Sequence, residues 1–282
     1  VIVEGKRGCA MPSIEDNKDV WAKTHDWQQL GNEWSDRWGS PDMQWYGTIL
    51  PRIHRYLPAA TMLEIAPGYG RWTNYLKDLC SHLVVVDLSE PCIEYCKERF
   101  RSCSHIEYFV NDGLSLAQVP DDSVDFAFSF DSLVHVEDDV MESYVSQLSR
   151  KLKKSGVAFL HHSNLGNYPL SSRLLKALPR NRITHWFFSP TVLISHWRGP
   201  SMTAEKLARI AKNSGLKCLS QELINWQSLR LMDCISVVAH NDSPWPEAVR
   251  ALKNPGFMQE AKMFKRLAVL YGISPQTGLP KG

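Results

Sequence analysis

The stretch Leu63-Glu64-Ile65-Ala66-Pro67-Gly68-Tyr69-Gly70-Arg71-Trp72 joins an apolar run to an amphipathic one through a pair of glycines. Glycine turns the chain with positive φ and lets backbone come close to a ligand, while the start of the following helix offers N–H groups that have no partner within the helix. Such a bend is a cradle of the nucleotide-binding type. Val84-Val85-Val86-Asp87 ends the next apolar run with a carboxylate about twenty residues downstream, where an acid accepts the hydroxyls of a ribose. Asn111-Asp112-Gly113 follows the third run, at the carboxyl edge where doubly wound sheets bind ligands. P-loop chemistry is excluded, because no Gly-Lys-Ser/Thr follows the bend.

These residues need strands to carry them. From Thr61 to His240, short β-branched runs alternate with amphipathic stretches, the pattern of βαβ units. Strands are expected at Met62–Ala66, Leu83–Leu88, Ile106–Val110, Val124–Phe130, Val157–His161, Cys218–Ile224 and Cys234–Ala239. Helices are expected at Arg71–Cys80, Pro91–Phe100, Asp138–Leu152 and Thr203–Ser214, the last opening on a Thr203 cap and closing at Gly215. Asp138 reads as the cap of its helix, with Asp139 in the first turn. The fold class is therefore α/β, a doubly wound, seven-stranded, mostly parallel sheet with helices on both faces.

Around the sheet domain, residues 59–240, lie helical N-terminal and C-terminal additions, 1–58 and 241–282. The first holds five of the ten tryptophans, Trp21, Trp27, Trp34, Trp38 and Trp45, and so should fold against the sheet or over its cleft. A proline- and aromatic-rich insertion, 164–200, is placed to act as a lid. Its Tyr168, Trp186, Phe187, Phe188 and Trp197 read as packing or as platforms for a sugar or planar acceptor. Arg173, Lys176, Arg180 and Arg182 read as attracting a phosphate or carboxylate or as a solvated helix face. After His240, helical period resumes over Glu247–Tyr271.

Composition bounds the rest. With 282 residues, 44% of them hydrophobic, the chain can bury a core without disulfide or metal staples. Its net charge of +2 gives no global basic field, which argues against nucleic acid as a partner. Seven cysteines without a C-x-x-C pair fit reduced thiols, and no stretch approaches the roughly 20 apolar residues of a membrane span. A soluble, cytoplasmic protein with no membrane partner is expected, its homo-oligomeric state left open.

Taken together, the residues of the cradle resemble the class I S-adenosylmethionine-dependent methyltransferases. That family's first motif, an acid followed by alternating glycines, matches Glu64-x-Ala66-x-Gly68-x-Gly70, with Ala66 in place of the first glycine. Its acid at the end of strand two matches Asp87, and its acid after strand three matches Asp112. The resemblance covers residues 60–163 well and 216–240 weakly. It implies S-adenosyl-L-methionine as methyl donor and S-adenosyl-L-homocysteine as product. Glu64 would help organise the methionine end, Gly68 and Gly70 line it, Asp87 take the ribose and Asp112 sit by the adenine. Ala66, Pro67, Leu88, Asn111, Gly113 and Phe130 complete the expected donor site. The dehydrogenase fingerprint G-x-G-x-x-G fails, since its third glycine falls on Arg71 or Thr73 in the two registers.

A hydroxyl acceptor needs a base or a metal to remove its proton, whereas an amine or thiolate needs little besides alignment. The segment after strand four, Phe130-Asp131-Ser132-Leu133-Val134-His135, resembles the family's rim of the methyl-donor pocket, and the expected catalytic residues are His135, His162 and Asp131. His135 reads otherwise as a residue that shapes the turn. Of the adjacent His161 and His162, at most one can look into a given pocket, because neighbours on a strand point to opposite faces. A divalent ion between Asp131 and one of these histidines is an alternative to a metal-free site, and no metal ligands are expected. The acceptor is expected to be a hydroxyl of a small molecule or sugar. The alternatives are an amine, such as an amino sugar, and an inactive cofactor-binding partner subunit. Phe130-Asp131-Ser132-Leu133 stands where a nucleic-acid methyltransferase carries N/D-P-P-Y.

Overall fold

In the computed structural model, residues 13–168, 198–226, 228–247 and 251–271 are described. Eight strands form one sheet in the order β3-β2-β1-β4-β5-β7-β6-β8. They are β1 Ala59–Ile65, β2 Cys80–Asp87, β3 Ile106–Val110, β4 Val124–Ser129, β5 Leu152–Ser163, β6 Leu216–Ile224, β7 Asp233–His240 and β8 Leu252–Asn254. All pairings are parallel except those of β7, which runs against both β5 and β6. The expected doubly wound α/β sheet is therefore present with one strand more than expected. β8 has only three residues, too few for an alternating pattern, inside a stretch that reads as helix; the helix begins at Phe257.

Alternation along the strands sorts the core into two layers. Met62, Val85, Phe126, Phe128 and Phe159 pack on one face with Trp38, Trp45 and Phe257. Leu63, Ile65, Val84 and Val86 pack on the other with Val140, Leu148 and Leu207 from helices Asp138–Lys151 and Ala204–Asn213. Thr203 caps the latter, its hydroxyl accepting from Lys206 N at 3.0 Å, and Gly215 follows with φ +81°. Asp138 is not the cap of its helix: Glu137 holds that position, its carboxylate accepting from Ser201 instead of from the helix's own amides, and the Asp138 amide donates to Ser201 Oγ at 3.0 Å. The expected helix over 71–80 shortens to Thr73–Leu76, because β2 starts already at Cys80.

The tryptophan-rich segment divides its labour. Trp38 and Trp45 are buried in the core, whereas Trp21, Trp27 and Trp34 line the cleft. Of the insertion, residues 169–197 lie outside the described residues, so Trp186, Phe187, Phe188, Trp197 and its cationic residues are not placed. Among the described residues, no helix is long and apolar enough to cross a membrane. Strand order reverses between β1 and β4, the place where open parallel sheets leave a crevice at their carboxyl ends.

Candidate functional site

A cleft opens at that crevice, bounded by the turn after β1, the ends of β2 and β4 and the N-terminal segment. The turn is built by three successive left-handed residues on alternate positions: Ala66 at φ +59°, Gly68 at +58° and Gly70 at +79°. Ala66 N still donates to Val86 O at 2.8 Å, extending the β1–β2 ladder, and Gly70 N closes the bend on Pro67 O at 3.1 Å. A Cβ on Gly68 would stand 2.8 Å from Trp27 Cη2, and one on Gly70 2.6 Å from Phe100 Cε2. Ala66 occupies its position at a strain of roughly 1–2 kcal/mol.

Asp87 ends β2 and faces this turn. Its Oδ2 accepts from Gly68 N at 3.1 Å and its Oδ1 from Ser89 N at 2.8 Å. Burial pushes its pKa up to about 6 against those backbone bonds. Glu64 lies beneath the turn, not in the cleft wall, 1% exposed, with Oε2 accepting from Thr73 Oγ1 at 2.5 Å. Its Oε1 is buried with no hydrogen-bond partner, and burial lifts its pKa to about 8.

Of the other expected donor residues, Ala66, Pro67, Leu88, Gly113 and Phe130 are in the wall. Gly70, Asn111 and Asp112 are not. Asn111 ties the loop after β3 together, donating to Ser115 O at 2.8 Å and Tyr144 Oη at 3.0 Å. Asp112 is exposed, and the amides of Leu114 and Ser115 that it accepts hold its carboxyl below the usual range. The loop turns both side chains to its own backbone, a use of short Asx residues that sequence position alone does not separate from ligand binding.

Asp131 and His135 line the cleft. Asp131 has φ +65°, and its Oδ2 accepts from Arg71 Nη2 at 2.9 Å. The His135 ring packs 5.4 Å from Trp21, while its carbonyl accepts from Asn17 Nδ2 at 3.2 Å. His162 does not reach the cleft. It is fully buried on the opposite face of the sheet, bonded to Ser236 Oγ at 2.8 Å, and burial pushes its pKa down to about 4. His161 is buried as well, and its Nδ1 accepts from the Asp131 amide at 3.1 Å. Behind it stands Asp233, which burial alone would raise but which Arg198, bonded at 2.8 and 3.0 Å, holds down at about 2. Among the described residues, no group of three or more His, Cys, Asp or Glu gathers as a metal site.

Sequence reasoning missed Arg71 and Trp72 in the wall and did not single out Trp21, Trp27 and Trp34 individually. For Arg71 the available signal was its place directly after Gly70, at the mouth of the bend. Trp27 stacks on Tyr69 at 4.4 Å and 5°, and Tyr69 on Tyr95 at 4.0 Å and 12°, fastening the N-terminal segment to the turn.

The site suits an adenosine-bearing sulfonium amino acid. The turn is closed to any residue with a Cβ at Gly68, the orphaned Glu64 oxygen below it matches a cationic group, and Asp87 keeps acceptor capacity for vicinal hydroxyls. The fold is that of the class I S-adenosylmethionine-dependent methyltransferases. Residues 63–160 match the family model of a methyltransferase domain. Over 111 residues the chain is 31% identical to "Phosphoethanolamine N-methyltransferase 2" of Caenorhabditis elegans, covering 38% of this chain and 25% of that protein. Over 118 residues it is 27% identical to "Phosphoethanolamine N-methyltransferase 1" of Triticum aestivum, covering 40% and 24%. The chain thus spans about a quarter of the length of the curated relatives it matches. Among solved structures, the N-methyltransferase NodS from Bradyrhizobium japonicum with S-adenosyl-L-homocysteine shares the fold at TM-score 0.52 and 18% identity, over 82% of this chain and 98% of that one. The PH0226 protein of Pyrococcus horikoshii does so at TM-score 0.52 and 19% identity, over 79% and 96%.

Proposed function

We propose that this chain transfers the methyl group of S-adenosylmethionine to a nitrogen of a small-molecule amine. The observation that carries the reading is the Asp131 carboxylate in the cleft wall, braced by Arg71 at 2.9 Å. A carboxylate in a partly desolvated cleft attracts an ammonium and can take its proton when the lone pair is required. The curated relatives, named as N-methyltransferases, support the same reaction class.

The bound donor supplies a methyl group on a sulfonium, an electrophile that needs only an aligned nucleophile. Asp87 would accept hydrogen bonds from the donor's ribose hydroxyls, and Glu64 under the turn would offset its ammonium through the oxygen left without a hydrogen bond. Asp131 would orient the acceptor amine and take up the proton that its nitrogen gives up. Trp21, Trp27 and Trp34 would limit bulk water in the cleft, which favours the spreading of the sulfonium charge toward nitrogen in the transition state.

A second reading, methylation of a hydroxyl of a small molecule or sugar, is favoured by His135 in the wall, where a base would stand. Formation of S-adenosyl-L-homocysteine over matched panels of amines and alcohols separates the two. Turnover confined to amines supports the proposal. Turnover confined to alcohols overturns it, and donor binding without product over either panel returns the chain to a partner-subunit role.

A further inference from the structure

We propose that His161 is a positioning residue for the carboxylate that receives the acceptor: by accepting the Asp131 amide, it holds Asp131 in the left-handed turn that carries its side chain into the cleft. This rests on the amine reading above for the role of Asp131 and adds the residue that sets its place.

β4 and β5 pair in register as far as Ser129 and Leu160, where the ladder ends. Phe130 follows, and then Asp131 at φ +65°. A left-handed residue other than glycine is a sparsely populated conformation that persists where its surroundings enforce it. Past the end of the ladder, the Asp131 amide donates to the ring of His161, at 3.1 Å from Nδ1. On the other side of the loop, the Ser132 hydroxyl donates to Ala66 O at 2.8 Å. The backbone at Asp131 is thus tied to β5 on one flank and to the turn after β1 on the other. Held this way, its Oδ2 meets Arg71 in the cleft wall, and its Oδ1 has no hydrogen-bond partner among the described residues.

An amide N–H is accepted only by a lone pair, so Nδ1 of His161 carries no proton and the ring proton belongs on Nε2. Nε2 makes no well-aligned hydrogen bond but lies 3.4 Å from Asp233 Oδ2. His161 stands opposite Ile235 across the antiparallel pair, and Asp233 lies two residues along from Ile235, so the two side chains share a face of the sheet. Arg198 binds both Asp233 oxygens, at 2.8 and 3.0 Å, which pairs that carboxylate without a charge on the ring.

His161, Asp233 and Arg198 are all buried, and none of them lines the cleft. Packing alone needs no histidine at this place. The ring lies 4.6 Å from Phe130 and 5.3 Å from Trp226, among aromatic side chains where a phenylalanine would fill the space. What the imidazole adds is a lone pair, and the Asp131 amide takes it. A buried polar group that is fully engaged in this way rigidifies what it holds.

The test compares His161→Phe, which keeps a ring but no acceptor, with His161→Asn, which keeps an acceptor oxygen near the place of Nδ1 but no ring. The acceptor probes are ethanolamine, glucosamine and benzylamine, with kcat and KM measured on whichever the wild type methylates fastest. Positioning predicts a loss of about tenfold or more in kcat for His161→Phe, His161→Asn within about threefold of wild type, and S-adenosyl-L-homocysteine affinity within about twofold in both. A space-filling role predicts the reverse order, since Asn leaves a void and Phe does not; that order, or equal rates, would overturn the proposal. Should His161→Phe not fold, the wild type is read by long-range proton–nitrogen correlation spectra, the His161 ring being identified by its nuclear Overhauser contacts to Phe130 and Trp226. A ring protonated only on Nε2 is expected, and a proton on Nδ1 excludes the bond to Asp131 and overturns the proposal. No turnover of any amine, or turnover of alcohols alone, would instead overturn the amine reading, while the ring tautomer still decides whether His161 holds Asp131.

Discussion

Arg71 and Asp131 form an ion pair across the floor of the cleft, Nη2 to Oδ2 at 2.9 Å, with side chains only 7% and 6% exposed. Arg71 also donates to Ser35 Oγ at 3.2 Å, so one guanidinium joins the turn after β1, the loop after β4 and the N-terminal segment. Removing one member of a buried pair leaves the other charge uncompensated, at a cost of roughly 3–5 kcal/mol. Arg71→Met is therefore expected to lower unfolding free energy by about that amount in urea denaturation. A loss below about 1 kcal/mol, the scale of exposed pairs, would show that the pair is not buried in solution.

The turn after β1 makes opposite predictions at adjacent left-handed positions. Ala66→Gly relieves a left-handed alanine, worth roughly 1–2 kcal/mol, but adds unfolded-chain entropy of roughly 0.5–1 kcal/mol. A net gain of about 0.5 kcal/mol is expected in the same denaturation experiment. Gly68→Ala places a Cβ at φ +58° and 2.8 Å from Trp27. It should weaken S-adenosyl-L-homocysteine at least tenfold, and unchanged affinity would mean the bend does not cradle the ligand.

Glu64 sets a pH dependence whose sign follows from its burial. Burial raises its folded pKa from 4.5 to about 8. The folded state then binds the proton more tightly than the unfolded chain, so this stability is complete below the unfolded value and is lost as pH climbs through the folded one. Asp87, raised by burial from 3.8 to about 6, adds the same trend over a lower window. In ligand-free protein, the melting temperature of Glu64→Gln relative to wild type should increase between pH 5 and pH 8. A flat or falling difference would contradict the buried, unpartnered carboxyl.

His135 discriminates the two acceptor chemistries. With an amine acceptor and Asp131 taking the proton, His135→Ala should leave kcat within about tenfold, whereas general-base removal typically costs 10²–10⁴. Steady-state rates of S-adenosyl-L-homocysteine formation decide between them, and a loss of a hundredfold or more would favour a hydroxyl acceptor.

The central strands β1, β2 and β4 were legible because most of their residues are buried on both faces and read as apolar runs, as in Val84-Val85-Val86. The Glu64–Gly70 bend and Asp87 were legible because glycines and a strand-terminal acid leave local marks. What stayed hidden depends on contacts distant in sequence. Trp21 and Trp38 differ in nothing local, yet one lines the cleft and the other packs on Trp226 at 5.3 Å. His161 and His162 obey the alternation that puts at most one toward a pocket, but His161 stops at the Asp131 amide and His162 is taken up by Ser236 on the other face. Arg71 looked like an ordinary helix-start residue until its partner, sixty positions on, was placed beside it.

Asp87 and the β1 turn are expected to grip one nucleoside together. Titration calorimetry of S-adenosyl-L-homocysteine into wild type and Asp87→Ala measures this directly. The wild type should bind with one site per chain and the variant at least tenfold more weakly. No heat from wild type, or equal affinity in Asp87→Ala, would contradict it.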